Sequence, residues 1–447
     1  MRVIAAACTL ALAATGSVSS AQTAAPPAQA ATYIQAGAVL DRPGRAPRGP
    51  STIIVRGGKV AEVRDGFVAP EAGGRLVDLR DQFVLPGLID MHVHIFNDDD
   101  KLQARLQGNN RDYEDNFVIG VDNARRTLEA GFTTIRDLGS DGHAVTALRD
   151  GINRGLLQGP TIVPAGRSIS ITSGHGDPGN NSNRDIAAIA RSRADNLCNG
   201  PEDCRRAVRA QISKGAEVIK FAATGGVNSD IAGGLNQQMM DDEMKAVVDT
   251  AHIFGRKVAA HAHGADGIKS ALEAGVDSIE HGIYTDDETN ALFKRRGAYL
   301  VPTMLAPKAA LEQARAGSRN PNTLAKAEQA NQVATTNWAR AIRSGVKIAF
   351  GTDSGVGSHG TNGQEFALMV AAGMTPAAAI QAATVNAADL LDRSATLGTL
   401  EPGKDADMIA VSGSPLQDVR TLERVQFVMR RGVVHKQDGR RQAFPPE

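Results

Sequence analysis

Pro86-Gly87-Leu88-Ile89-Asp90-Met91-His92-Val93-His94 is a short apolar run that opens on a Pro-Gly turn and closes on two histidines one residue apart. A run of this length bounded by a turn signal reads as a strand buried on both faces, as in a parallel sheet. Seven further segments repeat the pattern: residues 132–137, 161–165, 217–221, 257–263, 278–281, 298–303 and 347–353. Between them lie amphipathic stretches of helical length, such as 241–253 and 267–274, several of which stop at a glycine just ahead of the next strand, as a helix C-cap does. Strands alternating with helices give a parallel sheet wrapped by helices. Eight such units predict an α/β protein with a closed (β/α)8 TIM barrel over residues 86–396.

Outside the barrel the texture changes. Residues 32–85 carry short β-rich runs, Thr52-Ile53-Ile54-Val55 and Lys59-Val60-Ala61-Glu62-Val63, broken by Gly and Pro. Residues 397–447 return to it with 406–411 and 425–429, followed by the turn-like Arg431-Gly432. Both chain ends are therefore expected to build one small β-sandwich domain around the central insertion. Ahead of them, Arg2, an apolar run over 3–14 and Ser19-Ser20-Ala21 read as a signal peptide, residues 1–21, cleaved near Ala21. The Ala- and Pro-rich stretch 22–31 reads as a disordered lead-in, and a simple buried helix is the alternative for the apolar run. The run is too short to be a permanent membrane span.

A secreted or periplasmic protein follows from that reading, and it changes the meaning of the cysteines. Cys8 leaves with the signal peptide, and Cys198 and Cys204 remain in an oxidising compartment. Their spacing allows a local disulfide, with two free thiols as the alternative. Across the 447 residues, 49 basic and 49 acidic side chains cancel, which removes the electrostatic case for nucleic acid or an anionic membrane as partner. A small molecule is the expected ligand.

Barrels of this type carry their chemistry where the strands end, at the C-terminal face. Along a strand, side chains i and i+2 share a face, so His92 and His94 converge on the barrel axis. A lone histidine there is most often structural, whereas a same-face pair points to a metal. Lys220 closes the apolar run of the fourth strand, where a protonated amine would be costly and would repel a cation. A lysine of lowered pKa can instead take up CO2 as a carbamate whose two oxygens bridge two metals; a salt-bridged structural lysine is the other reading. His261 and His263 end the fifth strand, His281 the sixth, and Asp353 the eighth. Five of the ten histidines at strand ends are too many for core filling.

The ordered set His-x-His, Lys, His, His and Asp on strands one, four, five, six and eight resembles the binuclear amidohydrolase superfamily. Residues 86–94, Ile279-Glu280-His281-Gly282 and 398–407 are similar to its prolidase-like branch of Xaa-Pro dipeptidases, exported dipeptidases and ochratoxin-hydrolysing amidases. The resemblance implies that His92, His94 and Asp353 hold the more buried cation, His261 and His281 the more exposed one, and N6-carboxylated Lys220 bridges them. Zinc is the expected metal, and manganese or iron fits the same donors. His263 matches a histidine that in similar enzymes faces the substrate carbonyl or carboxylate. His175, in the glycine-rich 172–177 stretch, and Val227, in 224–227, resemble pocket-loop residues, with plain loop structure as the alternative; His143 and Tyr284 follow other strand ends.

A hydroxide shared by two cations would attack an amide or dipeptide substrate, Asp353 would carry the proton to the departing amine, and His263 would hold the oxyanion. The expected activity is that of a dipeptidase- or carboxypeptidase-like amidase that also accepts ochratoxin-like N-acyl phenylalanine. A cyclic-amide hydrolase or deaminase on the same scaffold is the alternative, and a non-enzymatic metal-binding module would have lost ligands, of which none is lost. Association into a homo-oligomer is compatible with all of these, as many similar barrels associate.

Overall fold

The computed structural model describes residues 30–108, 110–229, 234–317 and 321–444. The expected signal peptide, and the lead-in up to residue 29, lie outside the described residues. Ala31, the last residue of that lead-in, is buried, and its carbonyl accepts the Arg75 N–H at 2.9 Å.

Alternating β-branched residues set up the first sheet. Strand β1 (Thr32–Val39) pairs antiparallel with β2 (Ser51–Arg56) and parallel with β4 (Arg75–Pro86), while β2 turns back into β3 (Lys59–Asp65). The β2–β3 connection is two glycines, Gly57 and Gly58, at φ 55° and 74°. Two positive φ values in a row match the twist of a tight hairpin, and only glycine takes them at little cost.

One residue after β4 the barrel begins. Its strands are β5 (Leu88–Val93), β6 (Phe132–Asp137), β7 (Thr161–Pro164), β8 (Val218–Ala222), β9 (Lys257–Ala262), β10 (Ser278–His281), β11 (Tyr299–Val301) and β12 (Lys347–Ile348). Each lies within, or overlaps, one of the eight expected segments. Parallel ladders join β5 to β7 and β8 to β12 in sequence order. Single hydrogen bonds close the two seams. At one, Glu217 N–H donates to Pro164 O at 2.8 Å and Ile169 N–H to Lys220 O at 2.8 Å. At the other, Met91 N–H donates to Phe350 O at 2.9 Å, and Asp353 N–H to His92 O at 2.7 Å.

The chain then returns through β13 (Met408–Val411), β14 (Phe427–Arg430), β15 (Val433–Gln437) and β16 (Arg440–Arg441). Because β13 pairs with β4, the two chain ends form one eight-stranded sheet in the order β16-β15-β14-β13-β4-β1-β2-β3. The layered unit is thus one continuous sheet. It curls so that Val60 N–H donates to Lys404 O and Ala406 N–H to Gly58 O, both at 2.9 Å. Ile34, Ile53, Val77 and Leu79 share a core with Met408, Phe427 and Met429. The neighbouring positions Phe83, Leu85, Ile409 and Val428 point the other way, into the barrel core with Phe132 and Phe366. Each such fully buried large apolar side chain contributes about 1.5–3 kcal/mol, so the sheet and barrel stabilise one another.

Candidate metal centre

Where the barrel strands end, a cavity of about 1100 Å³ opens. His92, His94, Lys220, His261, His263, His281 and Asp353 all line it. Ring centres lie 5.3 Å apart for His92 and His94, 4.9 Å for His92 and His281, and 4.7 Å for His261 and His281. Asp353 Oδ1 stands 3.2 Å from His94 Nε2 and 3.6 Å from His92 Nε2. Ligand atoms of His92, His281 and Asp353 all fall within 4.8 Å of one another, so a His/Asp group able to hold a metal is present.

What turns these side chains inward is partly visible in the backbone. His281, Thr303 and Asp353 sit at φ 70°, 51° and 57°, in the left-handed region at the ends of three barrel strands. Non-glycine residues held there cost about 1–3 kcal/mol each, and such strain concentrates at functional sites. The outer ring nitrogens do the rest. His92 Nδ1 is bound to Glu280 Oε2 at 2.9 Å, His281 Nδ1 to Thr303 Oγ1 at 2.7 Å, His94 Nδ1 to Gly139 O at 3.3 Å and His261 Nε2 to Gly225 O at 3.3 Å. Each imidazole is anchored through one nitrogen and leaves the other for the centre, the arrangement a histidine ligand needs.

The protonation states fit cations as well. Burial, and next the charge of Lys220, push His92 down to about 4. Burial, then His175, push His263 down to about 3. For Asp353 burial acts upward, but His92, His94 and Lys220 together outweigh it and bring the carboxyl to about 2. Burial lowers the Lys220 amine to about 8. For His94 burial acts downward, but Asp353 and then Asp137 outweigh it and hold the ring above its usual value. Near neutrality His92, His261, His263 and His281 are therefore neutral imidazoles beside the ionised Asp353 carboxylate, and His94 gives up its proton to complete the deprotonated donor set that divalent metals require. Asp353 Oδ1 and His263 Nδ1 are buried with no hydrogen-bond partner, which a bound cation and a bound substrate would respectively supply.

Among the pocket residues, His175 stacks on His261 with ring centres 4.1 Å apart, contacts Ser229 Oγ through Nδ1, and lines the cavity with buried Val227. His143 does not belong there. Its N–H is held 3.1 Å from the capping carboxylate of Asp141 at the start of the helix Gly142–Asn153, which leaves the side chain in solvent, and Asp141 lines the cavity instead. Tyr284 is also turned away. After the left-handed turn at Gly282, φ 59°, Ile283 faces the cavity while Tyr284 packs on the apolar core.

Sequence reasoning missed three residues behind the ligands. Glu280 is fully buried and holds His92. Its signal was a carboxylate next to His281 in a segment expected to be a buried strand. Thr303 holds His281, and buried His359 reaches His94 O through Nε2 at 3.1 Å; Thr303 ends an expected strand with nothing to mark it as a partner, and His359 lies in a loop without periodicity. Cys198 and Cys204 are joined in a buried disulfide.

With this geometry in hand, comparison with known proteins is decisive: the profile of the Amidohydrolase family matches residues 83–436. The chain belongs to the amidohydrolase family. Ochratoxinase of Aspergillus niger is 34% identical over 368 residues, 77% of this chain and 73% of that protein. The solved structure of a Xaa-Pro dipeptidase with bound methionine superposes with a TM-score of 0.85 at 38% identity, covering 91% of this chain and all of the other. A prolidase complexed with N-methylphosphonate-L-proline gives 0.82 at 30% identity, over 91% of this chain and 100% of that one. This amidohydrolase therefore falls in the prolidase-like branch, and it is a hydrolase acting on amide bonds.

Proposed function

We propose that this amidohydrolase is a dipeptidase- or carboxypeptidase-like amidase whose centre holds two divalent cations, zinc being the expected metal. His92, His94 and Asp353 would hold the first cation, His261 and His281 the second, and N6-carboxylated Lys220 would bridge them. The observation that carries this reading is the convergence of inward-facing imidazole nitrogens on Asp353 beside a buried lysine in one cavity. When bound, the pair of cations supplies an acidified water and a Lewis acid for the scissile carbonyl.

The chain's own residues supply the rest. At a pKa of about 8, about one-tenth of Lys220 is a free amine at pH 7. That amine attacks CO2, forming an N–C bond and releasing one proton, and the product is an anionic carbamate in place of a cation. Asp353, ionised and without a hydrogen-bond partner on Oδ1, takes the proton of the attacking water and delivers it to the leaving amine nitrogen. His263, with Nδ1 unpartnered in the cavity, hydrogen-bonds the oxygen on which charge develops.

The substrate reading is an N-acyl amino acid or dipeptide with an apolar or aromatic residue. It draws support from ochratoxinase and the Xaa-Pro dipeptidase as relatives, and from a wall of Val227, Ile283, Ala306, Pro307 and Ala310 in a cavity with ample room for a dipeptide or a bulkier N-acyl amino acid. Export to the periplasm or beyond belongs to the same proposal, supported by the buried disulfide. No helix among the described residues is long and apolar enough to cross a membrane. The test is a library of dipeptides and N-acyl amino acids, ochratoxin A included, assayed for free amino acid with metal-replete enzyme. Release from substrates ending in apolar or aromatic residues is expected; preference for cyclic amides, or no release at all, overturns the reading.

A further inference from the structure

Inside the barrel, below the ligands, runs a buried chain of charge that the reaction above does not use. Arg136 on β6, Glu280 on β10 and His92 on β5 are exposed by 1%, 0% and 1%. Arg136 Nη2 donates to Glu280 Oε1 at 2.7 Å, and Glu280 Oε2 lies 2.9 Å from His92 Nδ1. The guanidinium is fixed at both of its other edges: Nε donates to Met91 O at 2.6 Å and Nη1 to Ser278 Oγ at 3.2 Å. Ser278 Oγ in turn donates to Glu280 Oε1 at 2.6 Å.

The direction of every hydrogen bond in this chain is set from the arginine end. A guanidinium has only donors and an ionised carboxylate only acceptors, so His92 Nδ1 must carry the proton and donate. Nε2 then keeps its lone pair, and it is Nε2 that faces Asp353. The other three ligand imidazoles are anchored by uncharged groups, the carbonyls of Gly139 and Gly225 and the hydroxyl of Thr303. His92 alone among them is held by a charged partner that is itself fixed by a second charge.

We infer that Arg136 sets the tautomer of His92 through Glu280, and thereby decides whether the first metal position can fill. Arg136 is a positioning residue in this scheme, two side chains removed from the centre. The inference rests on the binuclear reading above and adds to it an inequality: one of the two cation positions depends on a charge inside the barrel.

A carboxamide makes the test sharp. In Glu280→Gln the amide oxygen must face Arg136, because the NH2 group would meet a donor there. The NH2 group is left to donate to His92 Nδ1, and the ring proton moves to Nε2, where it blocks coordination. In Arg136→Met/Glu280→Gln the amide is free to turn its oxygen to His92. Zinc binding is measured by competition with a chromogenic chelator, with thermal melting as the check on folding. The wild type should take two equivalents, Glu280→Gln should bind one of them 10- to 100-fold more weakly, and the double variant should return to within a few-fold of wild type. Wild-type affinity for both ions in Glu280→Gln, or a double variant no tighter than the single one, overturns the inference while leaving the binuclear reading intact. A wild type that binds no zinc removes both. If Glu280→Gln does not fold, ring-nitrogen NMR of metal-free wild type still decides, with the His92 signal identified by its loss in His92→Asn: an Nδ1–H ring is expected, and an Nε2–H ring contradicts.

Discussion

The proposed reaction has Asp353 move a proton twice in one turnover, a role that suits a buried, ionised carboxylate with no hydrogen bond on Oδ1. Asp353→Asn keeps the shape but cannot carry a proton, so kcat should fall about 10²- to 10⁴-fold, measured by amino-acid release under saturating substrate. A second carboxyl is unusual for the opposite reason. Burial pushes Glu365 up to about 8, while its oxygens accept the N–H groups of Met304 at 2.7 Å and Leu305 at 2.8 Å. Its folded pKa lies above the ordinary glutamate value of 4.5, so the native state binds this proton more tightly than the unfolded chain. The resulting stabilisation is full below pH 4.5 and is lost as pH rises through about 8. Glu365→Gln does not titrate, so in urea melts its stability relative to wild type should climb between pH 4.5 and 8; a constant difference contradicts. At this scale the side chains that line the cavity were legible because a strand puts i and i+2 on one face, which paired His92 with His94 and His261 with His263. Glu280 was not, since strand alternation sets it on the opposite face from His281, only the left-handed backbone at His281 brings both to the interior, and its role depends on Arg136 from another strand. His143 and Tyr284 misled because being close after a strand end says nothing about which way a turn aims the next side chain.

Elements hold these residues in place through close backbone approaches. Gly139, just past β6, lies under His94: a Cβ there would meet the ring's Cε1 at 2.7 Å and Nδ1 at 2.9 Å. Gly139→Ala must tilt the imidazole. The expected result is weaker metal binding and lower kcat with a thermal midpoint within a few degrees of wild type, since the methyl presses on one ring rather than on the core; unchanged zinc affinity contradicts this. The eight barrel strands could be read in advance because each is an apolar run punctuated by Gly, Pro or charge. Their lengths could not. β11 and β12 span only three and two residues, because the chain leaves the ladder toward the left-handed turns at Thr303 and Asp353. Such turns come from packing and the site's demands, and no propensity of Thr, His or Asp announces them.

For the whole molecule, one sheet faces two cores, and the candidate metal centre is assembled only when the barrel strands come together. Four strands, β5, β8, β9 and β10, carry the proposed ligands, and Asp353 joins them from the loop that follows β12. Cations bound only by the folded chain stabilise it by RT ln(1 + [L]/Kd), about 2.7 kcal/mol at a hundredfold excess over Kd. Metal-saturated enzyme should therefore melt above chelator-treated enzyme, by a margin that grows with free zinc. Equal midpoints in calorimetry contradict a metal that bridges several strands. That both chain ends are β-rich and flank a run of alternating strands and helices could be read from the texture of the sequence, while the fusion of both ends into a single curled sheet depends on the pairing of β4 with β13, a long-range register that local patterns do not encode.

The most direct measurement is anomalous diffraction at the zinc edge from crystals of the metal-replete enzyme. Two peaks about 3.5–4 Å apart, one beside His92, His94 and Asp353 and one beside His261 and His281, with added density on Lys220 Nζ reaching both, are what the account predicts. A single peak, peaks elsewhere, or a plain lysine amine at position 220 would contradict it.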